Sequence, residues 1–180
     1  DPDCITLSLG FRAPDVGALL EGALETFDSH QQHIRFDDAG RSMSGAPAEI
    51  LASDLDKAKE AIIRYLDEPR VLEHLLATRV TAPYLEIDPR QEIEEQDIDP
   101  LITSVTQWEL DPGCRMAYVN QTLYVNGERI GDKTPADLLH LANTRTIQSN
   151  DIRKLEGFWG DTIIDLIRSE SLVPSENDGP

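Results

Sequence analysis

Residues 1–13 alternate between apolar and polar side chains. The apolar positions are Ile5, Leu7 and Leu9, and the polar positions between them are Thr6 and Ser8. A period of two is typical of a half-buried β-strand. A strand must pair its backbone N–H and C=O groups, yet the residues that follow it offer no good partner. The pattern therefore predicts a strand whose sheet is missing from the neighbouring sequence.

Residues 14–82 carry the spacing of three amphipathic helices. The first is predicted from Val16 to about Gln31, the second from Pro47 to about Leu66, and the third from near Pro69. The apolar positions of the second helix include Leu51, Leu55, Ala58 and Ile62. Their alternating spacing of four and three suits helix–helix packing. The segment predicts a helical module with apolar surface left for a partner.

Acidic residues and prolines dominate residues 83–100. Such a composition makes a poor hydrophobic core and is typical of an extended, solvated chain. We predict a linker here and place a domain boundary in it.

Residues 101–174 combine strand and helix signals. Strands are predicted in the stretches RMAYV, TLYV and ERI, and the turn between the last two is Asn126-Gly127, a strong hairpin signal. Helices are predicted to be capped by Thr134 and Ser149, with a third from about Phe158 to Ser169. The stretch SLVP predicts a final strand. Small strands beside three short helices favour a winged-helix-like domain, and residues 175–180 are predicted to be a disordered tail.

Charge narrows the choice of partners. The net charge of −18 repels phosphate backbones and anionic lipid, so we expect neither nucleic acid nor a membrane as partner. Basic proteins, such as those of the ribosome, are better partners. Cys4 and Cys114 are the two cysteines and form no CxxC motif, which suits a reducing cytosol. With no apolar run long enough for a membrane span, the sequence predicts a cytoplasmic protein.

One group of residues has the composition of a metal site. His30 and His33 are spaced by three, with Asp28, Asp37 and Asp38 close by, and helical spacing would place both imidazoles on one face. The alternative is a solvated helix end, where a histidine is favoured by the helix dipole. We favour the helix end, and we predict neither a metal ligand nor a catalytic residue in this chain.

A winged helix also raises the possibility of DNA recognition. Residues 101–180 hold seven Lys or Arg and twelve Asp or Glu, a net charge of −5. The predicted helix from Thr134 to Arg145 offers Arg145 as its one cation, with His140 beside it. Without a basic face a DNA reader gains no affinity from phosphates, so we favour a protein-contact role.

Four stretches of the chain carry a family resemblance. They are CITLSLGFRAPDVGALLEGALETF, APAEILASDLDKAKEAI, DEPRVLEHLLA and LYVNGERI. Together they resemble bacterial JmjC-type ribosomal oxygenases, which are cupin-fold arginine hydroxylases of a large-subunit ribosomal protein. The resemblance implies an α+β chain in three parts. These are the last strand of an otherwise absent jelly roll (1–13), a three-helix dimerisation module (14–82), and a winged-helix-like domain (101–174). Leu51, Leu55, Ala58 and Ile62 would then form the interface of a homodimer.

The resemblance also implies Fe(II) and 2-oxoglutarate as cofactors of a longer parent enzyme. The family binds iron through an HxD motif and a distal His, and the present sequence contains no HxD. We therefore expect no cofactor for this chain alone, and expect the iron site to lie upstream of it. Thr6 and Ser8 would face the active-site cleft, and Arg12 would brace the barrel mouth on the substrate side. Equally, Thr6 and Ser8 could be ordinary strand formers and Arg12 a surface cation.

Three functional hypotheses remain. The first is the C-terminal dimerisation and winged-helix region of a 2-oxoglutarate- and Fe(II)-dependent ribosomal protein hydroxylase. The second is a stand-alone acidic module that dimerises, binds a basic protein and catalyses nothing. A winged-helix transcription factor ranks third because of its charge. The unpaired strand favours the first, since an open strand edge promotes aggregation.

Overall fold

The computed structural model describes residues 15–29, 49–68, 70–83, 93 and 95–175. The strand predicted over 1–13, the histidine pair of the candidate metal site and the last five residues lie outside the described residues. The chain divides into two compact units, residues 1–75 and 76–180. This division falls inside a helix, whereas the sequence analysis placed the boundary at 83–100.

The first unit is helical. It contains α1 (Val16–Ser29), α2 (Ala52–Leu66) and the start of α3 (Val71–Thr81), which continues into the second unit. The Tyr65 hydroxyl of α2 donates a hydrogen bond to the carbonyl of Ala23 in α1 at 3.2 Å. The three predicted helices are therefore present.

Helix α2 begins at Ala52, five residues later than the predicted start at Pro47. The reason is local, because the Leu51 N–H donates to the carboxylate of Asp54 at 3.1 Å. This contact closes the first turn on Leu51, in the manner of the N3 acid of a capping box.

The predicted extended linker is wrong for residues 95–100, where helix α4 (Glu95–Ser104) has already begun. Ile98 is only 2% exposed and packs in the core together with Ile102. Their spacing of four places them on one face of the helix, while Asp97 and Asp99 are exposed. Burial of that face outweighs the loop signal of the acids and the proline.

The second unit contains two small antiparallel sheets. One has the strand order β5-β1-β6, formed by β1 (Gln107–Leu110), β5 (Thr146–Gln148) and β6 (Leu172–Pro174). The other is a meander of β2 (Met116–Val119), β3 (Thr122–Val125) and β4 (Glu128–Gly131). The hairpin predicted at Asn126-Gly127 is confirmed, with positive φ at both residues.

Three helices complete this unit: α5 (Ala136–Thr144), α6 (Ser149–Ile152) and α7 (Phe158–Arg168). The predicted α+β class is confirmed. The two predicted N-caps are wrong, because the Thr134 hydroxyl donates to the carbonyl of Gln121 at 2.8 Å and Ser149 lies inside α6. Ser175, predicted to begin the tail, is buried, and its N–H donates to the carbonyl of Gln107 at 3.0 Å.

The core of the second unit is centred on Trp108, which is 0% exposed. Its indole N–H donates to the hydroxyl of Ser149 at 2.9 Å, and Ser149 donates in turn to the carbonyl of Val105. The other fully buried apolar side chains include Leu123, Leu138, Leu141, Ile163, Ile167 and Leu172. The hydrogen bond between Trp108 and Ser149 joins β1 to α6 across the core.

Cys114 is a free, fully buried cysteine in the same core. Burial raises the pKa of its thiol above the ordinary 9.0, against smaller opposing effects of a hydrogen bond to Ser171 and the charge of Arg145. The thiolate is the reactive form. We therefore expect Cys114 to resist iodoacetamide at mildly alkaline pH in the folded chain and to react after unfolding in guanidinium.

Peptide mapping separates Cys114 from Cys4 and measures this protection. The same pKa shift lowers the free energy of unfolding as the pH rises past 9.0, because the thiol of the unfolded chain loses its proton at a lower pH than the thiol of the folded chain. Equal labelling of native and unfolded chain would contradict the burial of the thiol.

Candidate interaction surface

The apolar side chains of α2 are exposed. None of its residues, all of which the structure describes, is fully buried. Leu55 is 63% exposed and Ile62 is 58% exposed. They are seven residues apart and therefore lie on one face of the helix. We call Leu55 and Ile62, with the half-buried Leu51 and Ala58 beside them, the α2 face.

Two more exposed apolar residues make the α2 face suitable for a protein partner. Ile63, the neighbour of Ile62, and Ile50, just before the helix, are also exposed. Apolar side chains that remain exposed next to one another mark interaction sites more often than single ones do. The predicted stripe is thus placed at the surface of the first unit, where it is available for contact.

The charges of α2 cancel, although the chain as a whole is strongly acidic. The helix carries three acids and three bases, which are Asp54, Asp56, Glu60, Lys57, Lys59 and Arg64. A neutral helix adds no local charge repulsion when it approaches an identical helix, whereas the net charge of −18 still acts between the whole chains.

Two arginines of the winged-helix part donate hydrogen bonds to backbone carbonyls of the same part. The Arg145 guanidinium donates to the carbonyls of Leu110, Asp111 and Cys114 at 3.2, 2.8 and 3.2 Å. Arg153 donates to the carbonyl of Ile102 at 3.1 Å. Arg145 is the one cation of the helix that the sequence analysis considered for DNA, and its hydrogen bonds hold it against its own backbone.

Three more cations form ion pairs on the surface. The pairs are Arg129 with Asp132, Lys154 with Asp151, and Arg168 with Asp165, at 2.7, 2.6 and 3.2 Å. Pairing neutralises these cations locally. It removes them from the set that could meet a phosphate backbone.

The candidate metal site has no counterpart among the described residues, where no three His, Cys, Asp or Glu side chains lie together. His30, His33, Asp37 and Asp38 are outside the described part of the chain, as are Thr6, Ser8 and Arg12. Within the part described, no helix is long and apolar enough to cross a membrane.

Phe158, at the first position of α7, was assigned no role from the sequence. Its side chain is 56% exposed, although it lies in the winged-helix part where most large apolar residues are buried. The signal that could have found it is its position directly after Gly157 at the start of a helix, where a side chain projects from the end of the element.

The fold agrees with one known family. The family model of the ROXA-like winged helix matches residues 51–172, more than half of the chain. The chain belongs to the ROXA-like winged-helix family. The match begins at residue 51, directly before α2, and ends at the first residue of β6, so the family model spans both α2 and the winged helix.

Solved structures of similar fold come from Escherichia coli. The crystal structure of the ribosomal oxygenase YcfD superposes with a TM-score of 0.74 at 18% identity, covering 91% of the ROXA-like chain and 47% of YcfD. YcfD solved with cobalt and succinic acid and YcfD solved with cobalt and 2-oxoglutarate each give 0.73 at 18% identity, covering 89% of this chain and 46% of theirs.

The ROXA-like chain thus spans about half the length of these structures. No curated protein matches it in sequence. The predicted resemblance to ribosomal oxygenases and the predicted winged helix are confirmed.

Proposed function

We propose that the ROXA-like chain is the dimerisation and winged-helix region of a 2-oxoglutarate- and Fe(II)-dependent ribosomal oxygenase. The parent enzyme hydroxylates an arginine of a large-subunit ribosomal protein in the cytoplasm. The likeness to YcfD over 91% of this chain is the observation that carries the proposal. The family match supports it independently, because one family model spans both α2 and the winged helix.

The role of α2 is to pair two copies of the chain. The exposed α2 face supports this, since burying a Leu or Ile side chain contributes about 1.5–3 kcal/mol relative to leaving it in water. In a two-fold dimer the α2 face of one copy contacts the α2 face of the other. Each apolar residue of the face is therefore buried in both copies. The cancelled charges of α2 favour the same partner.

The acidity of the chain gives the parent a means to attract its substrate. A ribosomal protein is basic, and a net charge of −18 creates a field that speeds its approach and holds it. Residues 101–180, which include the winged helix, carry a net charge of −5 and contribute to that field. This favours a protein partner over nucleic acid.

The described residues of this chain do not form an iron site. The sequence lacks HxD, and the described residues hold no cluster of metal-ligating side chains. We assign Fe(II) and 2-oxoglutarate to a jelly-roll core that precedes residue 14 in the parent. Its last strand is the segment 1–13, with Thr6 and Ser8 facing the cleft and Arg12 at its mouth.

The native polypeptide that contains this sequence tests the proposal. We expect its intact mass to exceed 20.1 kDa by a whole jelly roll, and the purified protein to release succinate from 2-oxoglutarate when a basic large-subunit ribosomal protein is added. Mass spectrometry of that substrate would then show one added oxygen on an arginine. A native mass of 20.1 kDa would instead favour the stand-alone interaction module and overturn the proposal.

A further inference from the structure

The side chain of Phe158 is the most exposed large apolar group among the described residues of the second unit. A single exposed apolar side chain needs no functional explanation. Phe158 differs because its ring packs against a second aromatic ring and against the backbone of Gly131.

Two aromatic rings lie directly on the backbone at the end of β4. The rings of Phe158 and Trp159 pack edge to face, with centroids 5.0 Å apart and planes at 74°. A Cβ placed on Gly131 would lie 2.9 Å from Cε1 of Phe158 and 3.2 Å from Cη2 of Trp159. Glycine at this position therefore lets both rings rest against the strand. Trp159 in turn packs against the core.

The backbone below the ring is also fixed. The hydroxyl of Thr162, a buried residue, donates to the carbonyl of Phe158 at 2.8 Å. The N–H of Asp161 donates to the carbonyl of Gly157 at 2.9 Å, and Gly157 has a φ of 54°. A ring that already packs against neighbouring groups loses less entropy when a partner binds it than a ring without such contacts. Aromatic anchor residues in interfaces share this property.

Two carboxylates lie close to this ring along the chain, Glu156 two residues before it and Asp161 three residues after it. Asp161 is exposed one turn further along the same face of α7, and Glu156 is exposed just before the helix. Neither side chain forms a hydrogen bond or ion pair with the rest of the described chain. Lys154, the cation nearest in sequence, is engaged by Asp151 at 2.6 Å. The segment 156–161 around the ring therefore carries two carboxylates and no cation.

We propose that Phe158, Asp161 and Glu156 form a docking face for an arginine-rich segment of a partner protein. A guanidinium stacks on an aromatic ring and is attracted by its electron-rich face, while the two carboxylates bind neighbouring cations of the segment. The partner is the basic protein that the proposed function requires, and its identity rests on that proposal. A second copy of this chain would bring the same carboxylates together and is disfavoured.

Binding to the 180-residue chain tests this face, with a fluorescein-labelled arginine-glycine-serine repeat peptide as probe and fluorescence anisotropy as readout. The same peptide with citrulline in place of arginine keeps the shape and removes the charge. We expect Phe158→Ala to weaken binding of the arginine peptide about fivefold or more, and Asp161→Asn about threefold. Phe158→Trp should bind as tightly as the wild type.

Matched controls carry the same substitutions elsewhere on the second unit. Leu76→Ala removes another exposed apolar side chain, and Asp97→Asn removes another exposed carboxylate. Both should bind the peptide within about twofold of the wild type. Asp161→Asn alters an exposed side chain and leaves the core intact, so it keeps the test valid if Phe158→Ala unfolds.

Three results would overturn this inference. Wild-type affinity for the arginine peptide in both Phe158→Ala and Asp161→Asn would show that these residues do not bind it. Equal losses in the two controls would show attraction to the net charge of the whole chain. If Phe158→Ala lowers the mass of the assembly in solution from that of a dimer to that of a monomer, the face is a contact between two copies of the chain. The pairing of α2 and the succinate assay are measured separately, so failure here is distinguishable from failure of the proposed function.

Discussion

Leu55→Asp and Ile62→Asp are each expected to convert the chain from a dimer to a monomer. Light scattering after size exclusion should then give 20.1 kDa in place of twice that mass. Each substitution removes about 1.5–3 kcal/mol of apolar burial per copy. It also places two carboxylates close to each other across the two-fold axis, where their charges repel.

The control for this prediction lies on the same helix. Ser53→Asp adds the same charge at another exposed position of α2, nine residues from Ile62 and hence on the opposite face. It should leave the dimer intact. A dimer that survives both Leu55→Asp and Ile62→Asp would place the interface elsewhere, and dissociation of Ser53→Asp would indicate a general effect of charge.

Ser149→Ala is expected to be the most destabilising loss of a single oxygen atom in the winged helix. The hydroxyl accepts from the indole N–H of Trp108 at 2.9 Å and donates to the carbonyl of Val105. Without it the buried N–H of Trp108 has no acceptor at that position. Leaving a buried donor unsatisfied costs about 1–3 kcal/mol, so urea unfolding should show a loss of this size.

A double-mutant cycle separates the hydrogen bond from the rest of the effect. Trp108→Phe removes the donor, so Ser149→Ala should cost less in the Trp108→Phe background than in the wild type. Ser104→Ala is the matched control, because its exposed hydroxyl donates only to the carbonyl of Leu101; it should change stability by less than about 0.5 kcal/mol. Additive losses in the cycle would contradict a coupling between Ser149 and Trp108.

Sequence reasoning found the elements whose signals are local. The Asn126-Gly127 turn and the alternating strands around it depend on backbone conformations that only a few residues adopt easily, so the meander could be predicted from its own residues. The apolar stripes of α1, α2 and α7 are likewise read from spacing alone. The α2 face was located in this way, because a stripe on a helix is defined without knowing what covers it.

The elements that sequence reasoning missed depend on distant partners. Strand β1 pairs with β5 and β6, which lie far along the chain. Its four residues alternate polar and apolar, but an alternation this short is a weak signal by itself. The acids and Pro100 of α4 predict a linker by composition. The segment is helical because two of its isoleucines, Ile98 and Ile102, pack against the distant core.

The sequence by itself determined the acidity, the helical stripe and the hairpin, since each follows from neighbouring residues. Tertiary structure alone decided which partners these polar groups find. Ser149 and Arg145 look like a helix cap and a surface cation in the sequence, yet one binds Trp108 and the other binds three carbonyls. Packing brings these partners together from segments tens of residues apart, and a buried polar group must then find whatever partner the fold places beside it.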